Sequence, residues 1–217
     1  MIPIAFIVPA TTNQREWTDV METDLYMFLC QSLEINPPQG VQITLLIGYD
    51  YNDKIYSVFE NRQKFNALFT KFKNSLGDIA INQGFEWIKA LGSDIVTPKD
   101  LGWVCKMIND LKKSHRIGIS AGDSGNPELP MTQFLIHKTH IQTFGFIFPK
   151  EIENWGCDNW IQEVYPKKFV HYSPELKLLN VGGSPRYEIK FSRKFIDALV
   201  KRHRPTISRR INKSMNY

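Results

Sequence analysis

The sequence predicts an α/β fold: an open, mixed but mainly parallel sheet flanked by helices, in a single domain. Three observations carry this expectation. Short apolar runs rich in β-branched residues alternate along the chain with stretches of helical periodicity. The runs are continuous rather than interleaved with polar residues, as in strands covered on both faces. Each is followed by turn-forming residues, so polar groups collect where the strands stop.

Ile4 to Val8 reads as the first strand, ended by Pro9. From Thr12 to Leu33, Trp17, Val20, Met21, Leu25, Phe28 and Leu29 recur at helical spacing; Thr12 or Asn13 would cap the start, and Pro37-Pro38 stop any continuation. Val41 to Ile47 repeats the strand signature and runs into a turn-rich segment, Gly48 to Asp53. A helix is expected around Phe59 to Phe72 and a short strand at Ile79 to Ile81. A buried strand at Phe85 to Leu91 then leads into Gly92-Ser93-Asp94. Pro98 to Lys113 reads as a helix, with Pro98 and Asp100 in its first turn and Lys112-Lys113 in its last, as the helix dipole prefers. Ile117 to Ser120 and Phe134 to His137 are further strands around the loop Gly122 to Pro127, and Glu151 to Tyr165 contains a helix bearing Trp155, Asp158 and Trp160.

At 217 residues, 42% of them hydrophobic, the chain has apolar material for one substantial core. It divides into a catalytic domain over 1–195 and a basic C-terminal helix or linker extension over 196–217. The formal net charge of +5 is uneven, since Lys201, Arg202, His203, Arg204, Arg209, Arg210 and Lys213 crowd the end. A solvated helix end is the plainer reading of that crowd, ahead of a phosphate or lipid contact, and no nucleic-acid partner is expected. Cys30, Cys105 and Cys157 are odd in number and show no Cys-x-x-Cys spacing, which favours a reducing, cytoplasmic setting over a disulfide framework or structural zinc. The N-terminal apolar run is too short for a transmembrane segment and lacks the basic start of a signal peptide. A monomer is expected, belonging to a longer multidomain chain.

No GxGxxG, GxxxxGK[ST] or HExxH pattern occurs, so dehydrogenase, P-loop and zincin readings lose their support. What remains is a convergence at one edge: Pro9-Ala10-Thr11-Thr12 after the first strand, Asp50 and Asp53 after the second, and Ser93-Asp94 after the third buried run. A carboxylate at a strand tip suits a hard cation such as Mn²⁺ or Mg²⁺, which takes oxygen ligands and keeps phosphate oxygens in its shell. Asp94 could instead cap the helix near Pro98, and Asp-rich turns are common in any fold. His137 and His140 form the one close histidine pair, and a structural or substrate-facing role suits them better than metal ligation.

These residues resemble the GT-A glycosyltransferases, whose fold is Rossmann-like, and in particular the branch found in large DNA viruses and protists. Ile4 to Thr12 resembles the family's first strand and nucleotide-contacting turn, Leu46 to Asp50 its second strand with a base-binding carboxylate, and Phe65-Asn66-Ala67-Leu68-Phe69 its helical Asn segment. Leu91-Gly92-Ser93-Asp94-Ile95 sits where the family writes its DxD-type metal motif, thinned here to a single carboxylate. The longest match runs from Thr132 through His137, His140 and Phe144-Gly145 to Asn154-Trp155-Gly156-Cys157-Asp158-Asn159-Trp160 and Val164-Tyr165. Asn180 to Tyr187 is similar to the family's closing segment over the donor phosphates. Within the family the likeness is nearest to the N-terminal glycosyltransferase domains of chlorovirus capsid-glycan enzymes, and it covers residues 2 to 190.

The resemblance implies a metal-dependent, hexosyltransferase-type enzyme that moves a sugar from a nucleotide-sugar donor, a UDP-sugar, to a glycan or glycoprotein acceptor in viral glycan synthesis. Asp94 would hold Mn²⁺ or Mg²⁺ against the diphosphate, with His171, Asn180 or only phosphates and water completing its shell. Pro9, Ala10, Thr11, Thr12, Asp50, Asn66 and Ser93 would frame the nucleotide. Arg15 and Arg186 suit phosphate or loop-closing contacts, or equally surface ion pairs. Asp158 would face the acceptor as general base if transfer inverts the anomeric centre, or orient it if transfer retains; a helix N-terminal charge is the alternative. Asp123 is a second candidate catalytic carboxylate and, with Asn126, a contact for sugar hydroxyls; His137 would also face the acceptor. Trp155 and Trp160 could stack on a sugar, though core packing suits tryptophans better. A nucleotidyltransferase and a degenerate, non-catalytic sugar-nucleotide-binding module are the competing classes.

Overall fold

The computed structural model describes residues 1–65, 76–126, 131–153, 155–183, 186–188 and 190–215, and residues 67–71 by their backbone. A seven-stranded sheet runs through it in the order β3-β2-β1-β4-β7-β6-β8. Its strands are β1 (Ile2–Ala10), β2 (Val41–Tyr49), β3 (Ala67–Lys71), β4 (Trp87–Ala90), β6 (Ile119–Asp123), β7 (Phe134–His137) and β8 (Val170–Lys177); β5 (Ile95–Val96) and β9 (Leu179–Asn180) form a separate two-stranded ribbon. β1 pairs parallel with β2 and β4, β2 with β3, and β6 with β8, whereas β7 runs antiparallel to both β4 and β6. Six strands therefore share one direction.

β1 shows why continuous apolar runs mark such strands. Side chains alternate between faces; Ile4, Phe6 and Val8 enter one core and Ala5 and Ile7 the other. The first core is closed by α4 (Trp103–Lys113), whose buried Trp103, Val104, Met107, Ile108 and Leu111 follow the helical period. The second is closed by α3 (Leu76–Asn82), α5 (Thr139–Phe144), α6 (Cys157–Val164) and α7 (Arg193–Met215). Trp103 and Trp160 are fully buried, one on each face, and each large apolar side chain so buried stabilises the fold by about 1.5–3 kcal/mol. Lys89 is the anomaly: it is fully buried, its Nζ has no hydrogen-bond partner among the described residues, and it lies 5.8 Å from the Trp103 ring centroid.

Four local expectations give way. The helix expected from Thr12 begins only with a 3-10 turn at Val20–Glu22, followed by π-helical Leu25–Cys30 and α1 (Gln31–Ile35), because the N-terminal cap is Asp19. Asp19 accepts from the Met21 N–H at 2.8 Å and Glu22 reaches back to the Asp19 N–H at 3.1 Å. The helix around Phe59 to Phe72 shrinks to α2 (Phe59–Arg62), and Ala67–Lys71 pairs along β2, satisfying backbone groups that its edge would otherwise leave open. Ile79 to Ile81 is helical, since Leu76 and Ala80, four apart, are the pair that packs inward. The helix expected from Pro98 begins only at Trp103, while the C-terminal extension is helical as α7 (Arg193–Met215), with Ile196, Leu199, Val200, Ile207 and Ile211 in the second core.

Candidate functional site

Because six strands run together, their carboxyl ends define one edge, and β7 contributes its N-terminal end there. Pro9 and Ala10 close β1 at that edge, and Thr11 and Thr12 follow, both buried. The turn is fixed from β2's side. The Asp53 carboxylate accepts from the Thr12 N–H at 2.6 Å, and from the Ile55 and Tyr56 N–H groups at 3.0 and 2.7 Å. Asp53 therefore orders the turn, leaving Asp50 as the carboxylate that reaches outward.

Asp94 sits between β4 and β5. β5 pairs antiparallel with β9, Ile95 opposite Asn180, and the Val181 N–H donates to the Asp94 carbonyl at 3.0 Å. This ribbon carries the chain after β9 back to the edge. Asn13 Nδ2 donates to the Arg186 carbonyl at 2.7 Å, and the Tyr187 hydroxyl donates to Asp50 Oδ2 at 2.7 Å. Two glycines let Asp94 fit beneath this crossing. A Cβ on Gly182 would stand 1.9 Å from Asp94 Oδ2, and one on Gly92 2.6 Å from Oδ1. The Gly92 N–H is held by Gln133 Oε1 at 2.9 Å, from the residue before β7.

At the centre lies Arg186. Its Nη1 donates to Ser93 Oγ at 2.9 Å, its Nη2 pairs with Asp24, and Asp94 Oδ2 is 3.6 Å from the same Nη2. Arg186 is thus a largely buried ion-pair partner, with its side chain 13% exposed, rather than a surface one. Burial raises the Asp94 carboxyl above its usual range, and the guanidinium pulls against that rise. Asp24, the second carboxylate, went unassigned in the sequence. Its signal was a charged residue on an apolar stripe, four residues from both Val20 and Phe28.

Carboxylate oxygens are the donors that a hard cation such as Mn²⁺ or Mg²⁺ takes, and two of them, from Asp24 and Asp94, meet here around Arg186. The guanidinium marks a position where a hard cation finds oxygen ligands. Among the described residues no group of three or more His, Cys, Asp or Glu is placed to hold a metal ion, so phosphates and water would complete the shell. His171 is not in reach, because it is the second residue of β8, opposite Ser120 near the start of β6, and its Nε2 lies 3.0 Å from Ser114 Oγ. Asn180 Oδ1 accepts from the Gly182 N–H at 3.1 Å.

Asp123 ends β6 at the same edge, paired with Lys177 and accepting from the Gly125 N–H at 2.9 Å; the lysine contact, first, and then the N–H hold its carboxyl below the usual range. Asn126 follows in the same loop, its N–H 3.4 Å from Ser124 Oγ. Arg15 stacks its guanidinium 5.7 Å from the Trp17 ring centroid and would lie 3.7 Å from a Cβ on Gly183. Asp158 is in the first turn of α6, behind Gly156, which packs against Phe191 and Ile196 at the start of α7. Among the described residues none donates a hydrogen bond to its side chain, and desolvation pushes its carboxyl up to about 7. Trp155 is 37% exposed beside this turn, while Trp160 is core.

His137 does not join the site. Because β7 runs against its neighbours, its last residue lies opposite Trp87, the first of β4, at the other edge of the sheet. The ring packs 4.7 Å from Trp87, is buried, and has its basicity lowered to about 4 by that burial. His140 is likewise structural, its two nitrogens 2.7 Å from the Tyr165 hydroxyl and 2.9 Å from the Ile147 carbonyl. Asn66 lies outside the described residues.

No protein-family model matches the chain, and no curated protein matches it. Solved structures do. Residues 1–349 of S. aureus TarS in complex with UDP-GlcNAc superpose on 93% of this chain and 66% of that chain, with a TM-score of 0.60 at 14% identity. The same protein in complex with UDP covers 82% of this chain and 59% of that chain, with a TM-score of 0.53 at 13% identity. The chain thus spans less than two thirds of the length of these two TarS structures, and at this identity what is shared is the architecture. A mainly parallel mixed sheet with helices on both faces, matching these glycosyltransferases over most of its length, makes this chain GT-A-like in fold.

Proposed function

We propose that this chain is a glycosyltransferase that takes its sugar from a nucleotide-sugar donor, a UDP-sugar, bound at the carboxyl edge of β1, β2 and β4. One observation carries the reading: Asp50, the Pro9–Thr12 turn, Ser93, Asp94 and Arg186 meet at one strand-end crevice, joined by the segment that crosses it. In this family of folds ligands bind outside the carboxyl ends of strands. The solved relatives carry UDP or UDP-GlcNAc, which supports the donor class.

In this reading Asp50 accepts from the imide of the base once Tyr187 releases it, and the Thr11–Thr12 turn bounds the ribose. Arg186 leaves the Asp24–Asp94 pair for the diphosphate, since a guanidinium matches phosphate oxygens bidentately. Asp94, with Asp24, would hold Mn²⁺ or Mg²⁺, whose chemistry is to neutralise the departing diphosphate. Asp158 faces the acceptor: with its carboxyl near 7, a large ionised fraction at neutral pH can take the proton of an attacking hydroxyl, or orient that hydroxyl if transfer retains configuration. Asp123 and Asn126 offer contacts for sugar hydroxyls, with Trp155 as a stacking surface. A glycan or glycoprotein acceptor in viral glycan synthesis is the part of the proposal that rests on the sequence resemblance alone.

The test is UDP release from UDP-sugars with and without Mn²⁺. Metal-dependent release that Asp94→Asn abolishes supports the proposal; release unchanged by Asp94→Asn sinks the site. Donor binding without release, with any acceptor, would favour a non-catalytic module instead.

A further inference from the structure

The cations of this chain are concentrated on one element. α7 carries eight Lys and Arg residues against one Asp, so the remaining residues hold nineteen basic and twenty-one acidic side chains. The net positive charge of the molecule is therefore a property of α7, and the body it packs on is slightly acidic. The helix is also held in a fixed orientation. At about 100° per residue, Ile196, Leu199, Val200, Ile207 and Ile211 define its inner face, all of them buried. Lys194, Phe195, Lys201, Arg202, Arg209 and Lys213 fall on the opposite side within an arc of about 120°, and all six are exposed.

The charges on that arc are mostly uncommitted. Arg202 pairs with Glu151, and Arg193, on the flank, pairs with Glu163 and Asp197. Among the described residues Lys194, Lys201, Arg209 and Lys213 enter no ion pair. They span 20 residues, about 30 Å of straight helix. At the N-terminal end of the stripe two aromatic side chains are exposed, Phe191 at 46%, with its ring edge against Gly156, and Phe195 at 41%.

We propose that the outer face of α7 docks this protein on an anionic lipid bilayer, its lysines and arginines against the head groups and Phe191 and Phe195 in the interface. Charge complementarity selects the partner. A row of free cations along a helix held parallel to a surface attracts an anionic leaflet, and the acidic remainder of the molecule is repelled from it, which fixes the orientation. Exposed phenylalanines at one end add the apolar contact that a purely ionic patch lacks. No helix among the described residues is long and apolar enough to cross a membrane, so the attachment is peripheral and reversible. The docked end adjoins the first turn of α6 with Asp158, which brings the acceptor side of the crevice to the surface; the docking itself does not depend on the transferase reading.

The experiment is co-sedimentation of the full chain with vesicles of phosphatidylcholine alone and of phosphatidylcholine with phosphatidylglycerol, at low and high salt, beside a duplex and a single-stranded DNA. Partition onto anionic vesicles at least about tenfold above neutral ones, lost at high salt, is expected. The double variant Lys194→Glu/Lys201→Glu lowers it by about tenfold or more, and Arg209→Glu, on a separate turn, lowers it independently. Phe195→Ser weakens binding while leaving the salt dependence in place. Thermal midpoints near that of the unaltered chain show that these exposed changes leave it folded. Equal sedimentation with neutral and anionic vesicles, or binding to DNA that exceeds vesicle binding through the same residues, overturns the proposal.

Discussion

Two buried cationic side chains stand on either side of the same strand end. Lys89 is inside β4 and Arg186 crosses the edge just beyond it. Arg186 is met by two carboxylates and a hydroxyl, from Asp24, Asp94 and Ser93. Lys89 is met by none, and burial drives its ammonium well below the usual range, toward the neutral amine. The difference is one between a charge retained and a charge given up. The acceptors gathered round Arg186 satisfy its guanidinium, whereas Lys89 in the core sheds the proton that nothing compensates.

The largest effect should come from removing the compensated charge. Arg186→Met leaves Asp24 and Asp94 facing each other without a cation, and breaking a largely buried pair in this way costs about 3–5 kcal/mol. Urea unfolding should register it, and donor binding should be lost as well. Acid should partly rescue the variant, because protonating either carboxylate removes the repulsion; a stability loss below about 1 kcal/mol would mean the pair contributes little.

Next is the steric floor beneath Asp94. Gly182→Ala puts a methyl group where Asp94 Oδ2 now stands, so the crossing segment must shift, at a cost of about 1–3 kcal/mol. Turnover should fall much further than stability does, since the shift displaces both Asp94 and the segment bearing Arg186. Lys89→Met is the counterpart on the other side of the comparison. It should raise stability by about 1–2 kcal/mol at neutral pH, as a well-packed apolar chain replaces a polar group with no partner. Calorimetry showing marked destabilisation would mean that Lys89 has a compensating partner.

How far this contrast was legible in the sequence depends on the range of the interactions involved. β1, β2 and β7 announce themselves through the apolar runs Ile4 to Val8, Leu45 to Ile47 and Phe134 to Ile136, and such a run is a local property. The convergence of Thr12, Asp50 and Asp94 followed from topology alone, since parallel strands present one edge. β3 did not show, because Ala67–Lys71 becomes a strand through pairing with β2 rather than through its own composition. Asp24 was missed because its partner is 162 residues away. The sequence offered His137 as a residue facing the acceptor but held no sign of its strand's direction, and a single reversed strand moves its last residue across the whole sheet.

Asp158 extends the comparison to an anion, since it is half-buried and desolvation without an opposite charge raises its carboxyl. Its carboxyl, near 7 in the folded chain against an unfolded value near 3.9, holds a proton that the unfolded chain has released over that interval. The folded state then binds more protons than the unfolded one, and stability falls as pH rises from about 4 to 7. Asp158→Asn should flatten that fall, making the variant the more stable protein above pH 7 while the two converge toward pH 4. The rate moves the other way: if the ionised carboxylate takes the acceptor proton, kcat/KM of the unaltered enzyme climbs through pH 7, and Asp158→Asn loses both the climb and most of the rate. A variant that gains stability but keeps its rate profile would assign Asp158 to the helix terminus alone. A variant that loses both would separate it from Lys89, whose missing partner has no catalytic counterpart.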